Sequence, residues 1–279
     1  MGFGDKFVNR DLKLPSVLEK LDQAITKDLT KDPNVLAFFY GGSIAKGDTD
    51  LYSDIDLRIV VKDERFEAFR QNKKERAKRW GEVLFFEDFP WASHTVTHYS
   101  DFVKVDSFYY KEADLKPSLY LKKEETKIMY DPYKMVERIV KVSQSLSYQL
   151  TEEDFEIWRG KFFAYMHEVY RGVKRQEFYY ALRSLDMLRW SIAAGWDMEA
   201  DRNPNSMGVW SKYEGKRSVF DRTQLSLLES WHSDLSPVRI MKVVESFTPE
   251  FKRLHSCLCN KLSIKEDTEW INEMIKKII

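Results

Sequence analysis

The chain has 279 residues, and a hydrophobic share of 43% with 14% aromatics excludes a disordered polymer and allows one large domain or two ordinary ones. Forty-five basic residues balance 45 acidic ones, so a formal net charge of zero supplies no global pull toward nucleic acid or an anionic membrane. Met1 to Asp11 has no apolar signal core, no apolar run reaches the roughly 18 residues a membrane span needs, and Cys257 and Cys259 stand too close for an ordinary disulfide. A soluble, cytoplasmic protein with reduced thiols is expected.

Taken in order, Pro15-Ser16 followed by Glu19 predicts a capping box, with Leu18, Leu21, Ala24, Ile25 and Leu29 continuing a helix to about Thr30. Val35 to Tyr40 is a short continuous apolar run, the pattern of a strand buried on both faces. Gly41-Gly42 breaks it, Ser43 to Lys46 fits one brief helical turn, and Asp48 to Ser53 is a polar loop. Asp54 to Val61 alternates: Asp54, Asp56 and Arg58 share one face, while Ile55, Leu57, Ile59 and Val61 share the other. A single surface helix is expected over Glu64 to Trp80, followed by strands over Glu82–Glu87, Thr95–Tyr99, Phe102–Tyr110 and an edge strand over Lys127–Asp131. Within the Phe102–Tyr110 run Asp106 lies on the face of Lys104 and Phe108, opposite Val103 and Val105.

After Pro132 strand-like runs give way to helical ones. A helix capped by Thr151 carries Phe155, Trp158, Phe162, Phe163, Met166, Val169 and Tyr170 on one stripe. A second, through Phe178, Ala181, Leu182, Leu185 and Leu188, is expected to end at Gly195. Thr223 to Trp231, Pro237 to Leu258 with a break at Pro249, and Asp267 to Ile279 complete the helical half. The fold class is therefore α+β, a mixed sheet with helices over residues 1–135 and an all-helical domain over residues 136–279.

The stretch Phe38 to Val61 carries the chemistry. Gly41 and Gly42 let backbone approach phosphate oxygens, Ser43 offers a hydroxyl and an amide, and Lys46 a point charge, so these four are the candidate nucleotide-binding residues. Asp54 and Asp56, about 6 to 7 Å apart along a strand, are hard oxygen ligands suited to Mg²⁺. Asp106, an acid in an otherwise apolar run, is the candidate third ligand; a salt bridge to Lys104 or to an arginine is its structural alternative. A nucleotidyl transfer needs this set: amides for a triphosphate, and carboxylates for two metal ions that align a hydroxyl with the α-phosphorus. His94 and His98, in an extended stretch with no further ligands, do not suggest zinc.

The order Gly-Gly-Ser, Gly47, Asp54-Ile55-Asp56 and a later strand aspartate resembles the nucleotidyltransferase superfamily that includes DNA polymerase beta. With its helical second half, the chain is most similar to aminoglycoside adenylyltransferases, particularly the streptomycin 6-adenylyltransferase group. Tyr170 to Glu177 resembles a segment of that group written approximately Lys-Gly-Leu-x-Arg-x-Glu, with Arg171 standing where the group has lysine. The resemblance implies a polymerase-beta-like first domain and a helical substrate-binding domain. It also implies a triphosphate contact by Arg171 and a helical-domain acid near the acceptor, for which Glu156 is the first choice and Glu168 the second. The activity it implies is transfer of AMP from ATP, with two Mg²⁺ ions, to a hydroxyl of a small, cationic acceptor such as streptomycin, releasing pyrophosphate. A protein or RNA acceptor, or a silent nucleotide-binding module, is the alternative.

Overall fold

The structure, a computed structural model, describes residues 6–122 and 125–279; the first five residues of the stretch read for a signal core lie outside it. The chain divides into two compact units, Met1–Ser147 and Tyr148–Ile279. Among the described residues no helix is long and apolar enough to cross a membrane.

The first unit opens with a short helix α1 (Val8–Asp11) and the longer α2 (Leu14–Leu29). Six strands follow: β1 (Val35–Tyr40), β2 (Ile55–Val61), β3 (Val83–Asp88), β4 (His94–Tyr99), β5 (Lys104–Lys111) and β6 (Lys127–Tyr130). They form one mixed sheet in the order β3-β4-β5-β2-β1-β6, in which β2 and β5 run parallel and every other neighbouring pair is antiparallel. The alternation in β2 and β5 decides the two faces. Ile55, Leu57, Ile59, Val105 and Tyr109 join the apolar stripe of α2 (Leu14, Val17, Leu21, Ile25, Leu29) in one core. On the other face Ala37, Phe39 and Val60 are covered by Leu115, Leu121 and helix α6 (Met135–Ser143). That helix follows the change in sequence character near residue 135, yet it packs with the sheet.

Two expectations fail in this unit. The capping box is not made: the helix starts at Leu14 with Pro15 in its first turn, and the Ser16 hydroxyl donates to the Lys13 carbonyl (2.8 Å). The surface helix over 64–80 is instead a 3₁₀ turn followed by α4 (Phe66–Gln71) and α5 (Lys73–Ala77), and it buries two of its cations. Lys73 pairs with Asp88 at 2.8 Å, and Arg76 reaches Asp28 at 3.1 Å, so charges that read as solvated are tertiary anchors. Long stems allow a lysine or arginine to do this, and spacing alone does not reveal it.

In the second unit α7 (Glu152–Lys174), α8 (Phe178–Glu199), α9 (Arg222–Ser230), α10 (Pro237–Leu262) and α11 (Thr268–Lys276) enclose a core of their own. Thr151 caps α7 in a capping box with Asp154. The rings of Phe162 (α7) and Phe251 (α10) stack with centroids 3.8 Å apart, and Trp158 Nε1 donates to the Ser191 carbonyl at 2.7 Å. Gly195 does not end α8. A Cβ there would stand 2.9 Å from Leu254 and 3.1 Å from Trp158, so the glycine permits the close crossing of three helices. Nor does Pro249 break α10, which runs through it with Phe247 and Phe251, both wholly buried, on either side. Burial of two such rings offsets a proline penalty of about 3 kcal/mol.

Candidate active site

The end of β1 and the start of β2 bring the glycine turn to the carboxylates. The Gly41 amide donates to the Asp56 carbonyl at 2.9 Å, and Gly42 then starts the five-residue helix α3 (Gly42–Lys46). Gly42 has φ +57°, a region L-residues rarely enter, and a Cβ there would overlap Asp56 Oδ2 and lie 3.0 Å from its Cγ. At Gly41 a Cβ would lie 2.9 Å from Arg58 Cζ. Each glycine therefore leaves room for one named side chain of β2.

The parallel register sets Asp56 directly beside Asp106 on β5, both on the face opposite α2, with Asp54 just before β2. The sequence had named this trio, and the sheet brings it together. Burial pushes the Asp56 carboxyl above the usual carboxylate range, and the neighbouring charges of Asp54 and Asp106 add to this while Arg58 opposes it. Asp106 is also raised, by burial first, although Lys104 pulls the other way. Asp106 Oδ1 and Ser43 Oγ are buried and have no hydrogen-bond partner among the described residues.

Lys104 lies at the centre of the cluster. Its Nζ stands 2.8 Å from Asp54 Oδ2 and 3.0 Å from Asp106 Oδ2. Burial would lower the ammonium's pKa, but the two carboxylates outweigh it and raise it. The pair is thus not reciprocal: the lysine is held charged, whereas burial keeps Asp106 raised. Among the described residues no three His, Cys, Asp or Glu side chains are spaced as a ready metal cage. The donor set still suits a hard divalent ion: three carboxylates on one rigid face, one oxygen buried and unpaired, and a like-charge cluster that needs positive charge.

Lys46 is in the last turn of α3 and pairs with Glu125. Glu156 and Arg171 belong to the second unit, where Glu156 pairs with Arg159 and Arg171 with Glu168 (2.7 Å). Glu168 also accepts from Tyr180 Oη at 2.7 Å, and that bond first, then Arg171, lowers its pKa. Arg58 was not singled out by sequence reasoning. Its guanidinium lies under Gly41, 3.3 Å from the Asp56 carbonyl and 5.4 Å from the Phe108 ring, with no carboxylate in ion-pair range among the described residues. The signal was present, since residue 58 shares the face of 54 and 56.

The model of the family described as streptomycin adenylyltransferase matches residues 18–276. By class, then, this is a nucleotidyltransferase. The chain belongs to the streptomycin adenylyltransferase family. Among solved structures it is similar to an aminoglycoside 6-adenyltransferase from Bacillus subtilis, at 12% identity and a TM-score of 0.40 over 92% of this chain and 97% of that one. It is also similar to a nucleotidyltransferase-like protein from Exiguobacterium sibiricum 255-15, at 15% identity and a TM-score of 0.43 over 88% of this chain and 78% of that one. No curated protein sequence matches the chain.

Proposed function

We propose that this protein transfers AMP from ATP to a hydroxyl of an aminoglycoside such as streptomycin, releasing pyrophosphate. The observation that carries the reading is the register pair Asp56–Asp106, with Asp54 beside it, beneath a glycine turn whose missing side chains leave room for Asp56 and Arg58. The Gly41 amide is engaged by the Asp56 carbonyl, so Gly41 serves by its missing side chain, while the amides of Gly42 and Ser43 bind the triphosphate and the unpartnered Ser43 hydroxyl donates to it. Arg58 supplies a fixed positive charge under the turn, and Lys46 a second one on the helix that follows. Mg²⁺, as two ions held by Asp54, Asp56 and Asp106, would supply neutralisation of the triphosphate and alignment of the acceptor oxygen. The acceptor oxygen bonds to the α-phosphorus, the bond to the pyrophosphate oxygen breaks, and Asp106 takes up the hydroxyl proton. By family likeness Glu156 serves the acceptor and Arg171 a phosphate. Two free cysteines fit a reduced cytoplasmic setting.

The test is pyrophosphate release from ATP and Mg²⁺ with a panel of aminoglycosides, and mass spectrometry of the acceptor for one added AMP. Asp56→Asn should lose at least about a hundredfold in rate. Turnover with another acceptor and with no aminoglycoside would sink the substrate assignment alone. Unchanged turnover in Asp56→Asn would remove the metal role.

A further inference from the structure

We infer that Lys104 is an internal counter-ion of this site: its ammonium holds Asp54 and Asp106 together, and a divalent cation must displace it to take those carboxylates. The inference rests on the metal reading above and adds a residue that the reading does not use. Lys104 precedes Asp106 by two positions on β5, which puts both side chains on one face. One ammonium then spans acids from two chain segments, 2.8 Å from Asp54 Oδ2 and 3.0 Å from Asp106 Oδ2. Among the described residues Asp56, beside Asp106 in register, is in no such pair, and Asp106 Oδ1 is buried without a partner. The carboxylates are thus gathered around a point charge from the protein itself, and among the described residues they do not form a ready cage.

The Lys104 and Asp54 side chains are each about a third exposed, at 34% and 35%, so the flexible stem has solvent into which to swing. An ammonium and a divalent ion cannot share the same two carboxylate oxygens, because like charges at that separation repel strongly. Metal loading is therefore an exchange of cations. Lys104 keeps two of the three mutually repelling acids in place beforehand and, once released, is a free cation beside the substrate phosphates.

Removal of the ammonium should tighten divalent binding, since the ion no longer competes with a resident charge and relieves more repulsion. Mn²⁺ titration of the full chain, with free ion read by electron paramagnetic resonance, should give Lys104→Met a dissociation constant on the order of tenfold lower than wild type. Lys104→Arg, which keeps the competing charge, should stay within about threefold. Asp56→Asn locates the ion by weakening its binding. In the wild type, labelling of Lys104 by an amine-reactive ester, read by mass spectrometry, should rise when Mn²⁺ is added; this needs no variant to fold. If Asp56→Asn weakens binding while Lys104→Met does not tighten it and the labelling stays flat, the counter-ion role is wrong and the metal site stands. If Asp56→Asn titrates like wild type, the metal reading and this inference fall together.

Discussion

Gly42→Ala joins two separable penalties, and Gly47 provides the control that divides them. Both glycines have positive φ, +57° and +71°, so alanine at either costs about 1–2 kcal/mol in backbone strain. Around Gly47 no heavy atom of the described residues, its chain neighbours aside, lies within 4 Å of the added Cβ, whereas at Gly42 the methyl overlaps Asp56 Oδ2. Asp56 must then leave its rotamer, at about 0.5–1.5 kcal/mol, which brings Gly42→Ala to about 1.5–3.5 kcal/mol in all. Under the proposed metal role of Asp56, its displacement by about 1 Å also loses on the order of a hundredfold in rate. Urea denaturation of both variants should show the smaller loss in Gly47→Ala and the larger in Gly42→Ala. Pyrophosphate release should collapse only in the latter. Equal stability losses, with Gly42→Ala retaining turnover within about threefold of wild type, would refute the claim that this glycine exists to admit Asp56.

Other consequences can be measured independently. Arg58→Met should raise the KM for ATP by about tenfold or more while circular dichroism stays native; an unchanged KM would remove the phosphate contact. His255 is buried against Phe155 and Phe251, 3.6 Å from Glu266, and burial first, then the charge of Arg159, lowers its pKa below 6.5. The unfolded chain thus binds the proton more readily, so stability from neutral His255 is full above pH 6.5 and is lost as pH falls through the lower folded value. His255→Gln should flatten the fall in urea midpoint just below pH 6.5, and an identical slope in the two proteins would contradict it. Phe162→Ala, which removes a ring with no exposed surface stacked on Phe251, should cost about 3–5 kcal/mol in chemical denaturation; a loss under about 1 kcal/mol would mean the stack is not as described.

The parts legible in the sequence were those encoded by local period. Alternation over residues 54–61 and 102–110 put three aspartates on strand faces, and the Thr151 cap marked the start of a helix. What local period could not encode was which strands are neighbours: that Asp56 meets Asp106 follows from the parallel pairing of β2 with β5 across some forty intervening residues. Long side chains were the other failure. Lys73 and Arg76 read as solvent-facing and are anchors, while the reach of Lys104 to Asp54 crosses from one strand to the approach of another. Gly195 and Pro249 misled in the opposite way, because helix-breaking tendencies of about 1 and 3 kcal/mol are smaller than the packing gained by running through them.

Gly41 and Arg58 occupy one volume, and this couples their genetics. The atoms that a Cβ at residue 41 would meet are the far end of a flexible side chain, so alanine there is accommodated by moving the guanidinium. Gly41→Ala is then a relocation of Arg58 that leaves the charge in the chain. In a double-mutant cycle the two substitutions should be strongly epistatic, with Gly41→Ala adding almost nothing once Arg58→Met is present.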